Sequence, residues 1–117
     1  MSKTAPQCIV IVQFDLPNVP ADQVVARSLP NTVTYRNLGA KGLIRKDYIN
    51  GADGVGGVYL WESRRAAEAW YTEDLMADLT KRFGVRPRLT WYETHITVDN
   101  MKGETRVDGE PVTVPAT

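Results

Sequence analysis

The stretch Cys8-Ile9-Val10-Ile11-Val12-Gln13-Phe14-Asp15 constrains this chain more than any other. Side chains alternate faces along a strand. Here both parities are apolar: Val10, Val12 and Phe14 on one, Ile9 and Ile11 on the other. A strand of that kind has to be covered on both faces, so it belongs inside a sheet with a layer on each side. Leu16-Pro17-Asn18-Val19-Pro20 ends it. Proline cannot donate to a ladder or sit inside a helix, but it suits a first helical position.

A helix is expected from about Ala21 to Ser28, interrupted by Pro30. Asn31 to Leu38 reads as a second helical piece, although Thr32, Val33, Thr34 and Tyr35 are poor helix formers. Gly39-Ala40-Lys41-Gly42 is a turn. Leu43 to Asn50 reads as a strand, Gly51 to Gly57 as a glycine-rich loop, and Val58 to Glu62 as a third strand. Two strands joined in this way predict an antiparallel hairpin. Along the third strand Val58 and Leu60 share one face, and Tyr59 and Trp61 share the other.

Ser63 is the expected N-cap of a single long helix from Arg64 to Phe83. Ala67, Tyr71, Leu75, Leu79 and Phe83 recur along it at intervals of four. Gly84 sits where a left-handed residue closes a helix, and Pro87 prevents continuation. Arg88 to Val98 reads as a last strand, rich in Thr, Trp, Tyr, Ile and Val. The remaining tail has few large apolar residues. Asp108-Gly109 is suited to turning a small hairpin between Thr105–Val107 and Pro111–Val114, and an arm over a partner subunit fits as well.

The resulting order, β-α-β-β-α-β, is the ferredoxin-like split arrangement: a four-stranded antiparallel sheet with both helices on one face. The fold class is therefore α+β, with one domain over residues 1–100 and a C-terminal tail or arm over 101–117. The helix-free face of the sheet must also be hidden. Tyr59, Trp61 and the two-sided first strand are too apolar for open water, so a homodimer packing sheet against sheet is expected. The modest buried fraction of a 117-residue chain points the same way.

Charge narrows the function. Fourteen Lys+Arg balance fourteen Asp+Glu. No net field is available to hold a phosphate backbone or an anionic membrane, so nucleic acid and membrane are not expected partners. The longest aliphatic run, Ile9 to Val12, falls far short of the ~20 residues a membrane span requires. No secretory leader is visible and Cys8 is the single cysteine, so a cytoplasmic location is expected, with neither a disulfide framework nor a cysteine zinc cage. No HExxH, GxSxG, Walker or EF-hand pattern occurs, and no cofactor is expected.

His95, the only histidine, is the natural general base near neutral pH. It shares strand parity with Trp91 and Glu93, and it fits an ordinary exposed or hydrogen-bonded strand histidine equally well. Tyr48, Tyr59, Trp61, Trp91 and Tyr92 concentrate on three strands. Aromatics there either fill the core and the dimer seam or line a cavity for a flat, apolar ligand. Arg45 and Lys46 are adjacent in a strand, so one points each way. The inward one requires an anion, a carboxylate partner or a route to the rim. Arg64 and Arg65, at a helix N-terminus where cations are disfavoured, find local partners in Glu62 and Glu68. Cys8 reads as a small core residue.

An ordered series of segments is familiar. It runs Gly42-Leu43-Ile44-Arg45-Lys46-Asp47-Tyr48, then Gly56-Gly57-Val58-Tyr59-Leu60-Trp61-Glu62-Ser63, then Ala66-Ala67-Glu68-Ala69, then Phe83-Gly84-Val85-Arg86-Pro87. From about Cys8 to Asn100 the chain resembles the YdhR-type monooxygenases of the dimeric α+β barrel superfamily. The resemblance implies a ferredoxin-like protomer that dimerises through its sheets. Relatives in that superfamily include cofactor-independent oxygenases of anthrone-like polyketides, haem-degrading enzymes and small isomerases. Fold analogy of this kind is an associational warrant.

The leading expectation is thus a homodimeric monooxygenase acting without cofactor on a small aromatic or polyketide-like substrate. His95 would be the base. Tyr48, Tyr59, Trp61 and Trp91 would line the pocket, with Lys46 or Arg45 steadying a substrate anion. The alternatives are an isomerase or lyase on the same pocket, a non-catalytic binder of a small ligand or haem, and a purely structural dimer.

Overall fold

In the computed structural model, which describes residues 5–115, the chain is an α+β protein with antiparallel sheets. It runs β1 (Gln7–Phe14), α1 (Ala21–Ser28), α2 (Thr32–Asn37), β2 (Leu43–Gly51), β3 (Gly54–Trp61), α3 (Arg64–Trp70), α4 (Glu73–Phe83), β4 (Arg88–Thr94), β5 (Ile96–Asp99), β6 (Glu104–Val107) and β7 (Glu110–Val112). Short 3-10 turns at Leu29–Asn31 and Leu38–Lys41 flank α2, the first of them where Pro30 interrupts the helix.

The main sheet has the order β2-β3-β1-β4. Its central strand β1 pairs antiparallel with both β3 and β4, as its two apolar parities require. Val10 lies opposite Tyr59 and Trp91, and Cys8 opposite Trp61 and Glu93. These residues therefore share one face, which the helices cover. Cys8, Val10, Val12, Phe14, Tyr59 and Trp61 are buried there with Leu38, Leu43 and Ala67. The other face carries Ile9, Ile11, Val58 and Leu60, all half-buried. This reverses one expectation: Tyr59 and Trp61 belong to the helix-covered core, and the aliphatic parity is the one left facing outward.

The long helix over 64–83 is two helices. Ser63 caps α3, its hydroxyl accepting from the Ala66 amide at 3.1 Å. Tyr71 then leaves helical geometry (φ −85°, ψ 68°), and Thr72 caps α4 by accepting from the Leu75 amide at 3.2 Å. Tyr71 explains the break. Its ring packs edge-on against Tyr59, Trp61 and Trp91 at centroid distances of 5.6, 5.8 and 5.5 Å. Its hydroxyl accepts a hydrogen bond from Trp61 Nε1 at 3.1 Å.

The glycine-rich segment is also more regular than a loop. β3 begins at Gly54, four residues before the expected start, because β1 and β3 approach too closely for side chains there. A Cβ on Gly56 would lie 1.9 Å from the Val12 carbonyl oxygen. The last strand, in turn, is interrupted at His95. β4 ends at Thr94, and β5 leaves the main sheet to start a second sheet of order β5-β6-β7. Asp108 (φ 47°) and Gly109 (φ 85°) turn its β6–β7 hairpin with two left-handed residues, the geometry favoured by strand twist. The molecule is elongated, with extents of 49, 29 and 24 Å. The radius of gyration is 16.0 Å, against roughly 13 Å for a compact domain of this length.

Candidate functional site

A cavity of about 690 Å³ lies between the helix-covered face of the main sheet and its helices. Val12, Gly57 and Tyr59 of the two central strands form its floor, with Lys46, Tyr48 and Asn50 of β2 beside them. Tyr35 from α2 and Leu79 from α4 stand on opposite helical walls.

A backbone irregularity decides which cation enters. The β2–β3 register shifts between Leu43 and Arg45. A regular strand would put Leu43 and Arg45 on the same face. The bulge reverses the parity, so Leu43 is buried, Arg45 points outward, and Lys46 points in with Tyr59 as its cross-strand partner. Gly57 clears the space that Lys46 occupies: a Cβ there would sit 2.9 Å from Lys46 Cε and 3.0 Å from Tyr59 Cε1.

Lys46 lacks the carboxylate partner that the strand pattern called for, among the described residues. Its ammonium nitrogen lies 3.3 Å from the Tyr35 ring centroid, 4.0 Å from that of Tyr48 and 4.7 Å from that of Tyr59. It forms no ion pair with any described residue. Three ring faces stand where a carboxylate would be, each offering a weaker attraction of ~0.5–2 kcal/mol. Burial pulls its pKa down to about 7. Two of the phenols beside it, Tyr59 and Tyr48, shift the opposite way. Burial raises Tyr59, with smaller contributions from Tyr35 and Tyr71, and burial followed by Tyr35 raises Tyr48. The cavity thus holds an amine poised to exchange a proton near neutral pH, beside the Tyr48 and Tyr59 phenols, which burial keeps protonated. The Tyr48 hydroxyl is itself buried with no hydrogen-bond partner among the described residues. Asn50 fixes the entry to α1: its amide donates to the Val19 carbonyl at 2.7 Å and accepts from the Val19 amide at 3.0 Å.

Of the residues singled out in the sequence, Lys46, Tyr48 and Tyr59 line the cavity together. Trp61 is fully buried in the core behind it, bonded to Tyr71. Trp91 packs on Tyr71 under the Arg64 guanidinium, 4.7 Å from its ring centroid. Arg45 lies on the outward face, paired with Asp47 at 2.8 Å. His95 lies outside the cavity, because the chain leaves β4 one residue earlier. Its Nδ1 is 2.9 Å from Asp108 Oδ1 and its Nε2 3.5 Å from Glu93 Oε2, with more than half the side chain exposed. Tyr35 is the residue that sequence reasoning missed. It sits in a stretch of poor helix formers, and nothing in its spacing ties it to a lysine on a later strand.

Among the described residues no cluster of His, Cys, Asp or Glu is arranged to hold a metal ion, and no helix is long and apolar enough to cross a membrane. Compared with known proteins, the chain matches no family model and no curated sequence.

Proposed function

We propose that the protein is a cofactor-independent monooxygenase of a small aromatic or polyketide-like molecule, working as a homodimer of ferredoxin-like protomers joined into an α+β barrel. The observation that carries this reading is Lys46: an amine with no carboxylate partner among the described residues, in a cavity walled by tyrosine rings, with a pKa of about 7. A flat ligand with an acidic C–H or O–H fits between such rings, and the amine is matched to take its proton. In this reading the base is Lys46 in place of His95.

The reaction follows from that proton transfer. Lys46 removes a proton from a ring-flanked methylene, and its ammonium then sits beside the electron-rich anion. The anion gives one electron to dioxygen, and the radical pair combines into a C–O bond. Lys46 returns its proton to the peroxide, which loses water and leaves a ketone. In sum, one methylene group and one dioxygen molecule give one ketone and one water.

Support for the assembly comes from the strand order β2-β3-β1-β4, from helical segments in both crossovers, and from the outward aliphatic face of Ile9, Ile11, Val58 and Leu60. The second sheet adds Ile96 and Val98 on β5, both exposed. Isolated apolar positions are ordinary on a surface, but a row of them on a sheet face marks an interaction site.

The test is an oxygen electrode with an anthrone-type probe. One dioxygen consumed per ketone formed, falling about 100-fold or more in Lys46→Met, is the expected result. Exchange of the methylene protons in heavy water without oxygen uptake would replace oxygenation by isomerisation on the same base. Neither uptake nor exchange would end the enzymatic reading. Sedimentation of wild type and Leu60→Asp tests the assembly: a dimer that the substitution dissociates supports it, and a wild-type monomer refutes it.

A further inference from the structure

We propose that Lys46 is also a covalent capture site for aromatic aldehydes and ketones, condensing with them to an imine inside the cavity. The inference rests on the cavity of the preceding reading but is independent of dioxygen.

Imine formation requires a neutral amine, a cavity that admits a carbonyl compound, and room for the adduct. Lys46 supplies the first. Its stem crosses the clearing left by Gly57, and its nitrogen sits among Tyr35, Tyr48 and Tyr59 instead of being held by a carboxylate. The cavity volume, about 690 Å³, exceeds that of a one- or two-ring ligand and falls within the usual range for small-molecule sites. Its wall chemistry selects for flat apolar rings.

The step balances without a further reactant. The amine lone pair attacks the carbonyl carbon, and a C–N bond forms as the C=O π pair moves to oxygen. The two protons of the amine leave with that oxygen as water, and a C=N bond remains. The Tyr48 ring centroid lies 4.0 Å from the reacting nitrogen, and its buried hydroxyl, without a hydrogen-bond partner among the described residues, is the proton donor within the cavity for the departing oxygen.

The groups facing Lys46 set its pH response. They are Tyr35 from α2, Tyr48 on its own strand and Tyr59 from β3. The charged groups elsewhere on the cavity wall are Arg27 from α1, and Asp78 with Arg82 from α4. The last two are paired with each other at 3.1 Å, and Arg27 is bonded to Gln23 at 3.1 Å. None of these holds the ammonium in its charged form.

The chain has five lysines, so selectivity is measurable. At pH 7 an ordinary lysine, with a pKa near 10.4, is neutral in roughly one molecule in 2,500, whereas a lysine with a pKa near 7 is neutral in about half. The experiment treats the full chain with 2-naphthaldehyde and cyanoborohydride under nitrogen from pH 5.5 to 9, followed by peptide mapping. The expected result is a naphthylmethyl adduct on Lys46 at least tenfold faster than on Lys41, Lys81 or Lys102 at pH 7. Its rate should reach half its maximum near pH 7, and excess naphthalene should suppress it at Lys46 alone. Lys46→Arg, which retains the charge, should remove only that adduct.

Adducts confined to Lys41, Lys81 and Lys102, or a Lys46 adduct appearing only above pH 9, would overturn the proposal. So would a Lys46 adduct that naphthalene does not suppress. Because the labelling excludes oxygen, an adduct without later oxygen uptake keeps this site and ends the oxygenase reading. Oxygen uptake without an adduct does the reverse.

Discussion

Replacing Lys46 by Met tests the electrostatics of the cavity without any ligand. Methionine keeps the length and apolar bulk of the stem and removes the titrating nitrogen. In the unfolded chain a lysine keeps its proton until about pH 10.4. In the folded protein burial brings the Lys46 pKa to about 7. Between those values the unfolded state binds more protons, so stability rises with pH, by up to about 1.36 kcal/mol per pH unit. Below pH 7 both states are protonated, and the folded state carries the whole cost of a buried ammonium. The full interval would amount to ~5 kcal/mol. Solvent at the cavity mouth and the attraction of three ring faces reduce this to ~3 kcal/mol. Urea unfolding at fixed protein concentration, from pH 6 to 9, measures it. Lys46→Met should be more stable than wild type by ~3 kcal/mol at pH 6, and the gap should close by about 1 kcal/mol between pH 7 and 9. Cys8, Tyr48, Tyr59 and Tyr71, all raised by burial, also titrate on unfolding at alkaline pH, but they are common to both proteins and cancel in the difference. A difference that stays flat across this range would mean that Lys46 remains an ordinary cation. The base and the imine would fall with it.

Tyr71→Phe keeps the ring and the helix break but leaves the buried Trp61 N–H without its acceptor; a loss of ~1–3 kcal/mol in urea unfolding is expected. Gly56→Ala places a methyl 1.9 Å from the Val12 carbonyl, so the β1–β3 pairing should fail and the soluble folded yield should collapse. Ser63→Ala and Thr72→Ala each remove a helix N-cap, and thermal unfolding should show each costing ~1 kcal/mol, additively if α3 and α4 are separate helices.

The sheet was legible because its signals are local. The two-sided β1, the turn prolines and Asp108-Gly109 each dictate backbone geometry within a few residues. The boundaries that shifted did so for tertiary reasons. The four-residue periodicity of 64–83 persists across the break, because Tyr71 stays on the core side while its backbone leaves the helix. Gly54 to Gly57 resembles a loop in composition, yet Gly54 and Gly56 let β1 come close and Gly57 leaves room for Lys46. The site was legible only in its aromatic content. Alternation correctly required one of Arg45 and Lys46 to turn inward. The choice between them lies in a bulge one residue upstream, and the tyrosine that completes the cage arrives from α2, a stretch with weak helical preference. His95, chosen for its pKa range, was misplaced by a strand that ends one residue too soon.

The two walls of the cavity are held with unequal strength. On one side α3 and α4 are anchored by buried Ala67 and Met76, and Phe83 packs on Phe14 at 4.3 Å. On the other, α1 and α2 contain no buried residue, and Val25, Leu29 and Val33 are 58%, 63% and 63% exposed. Segments with so little buried apolar surface open at a fraction of the global unfolding free energy. Residues 21–37 can therefore breathe while the sheet stays intact, swinging from the point where Asn50 grips Val19. Amide hydrogens there should exchange quickly in the empty protein and slow down when a ring fills the space against Tyr35. The weak side of the molecule is then its doorway, and a ligand that enters contributes the packing this wall lacks.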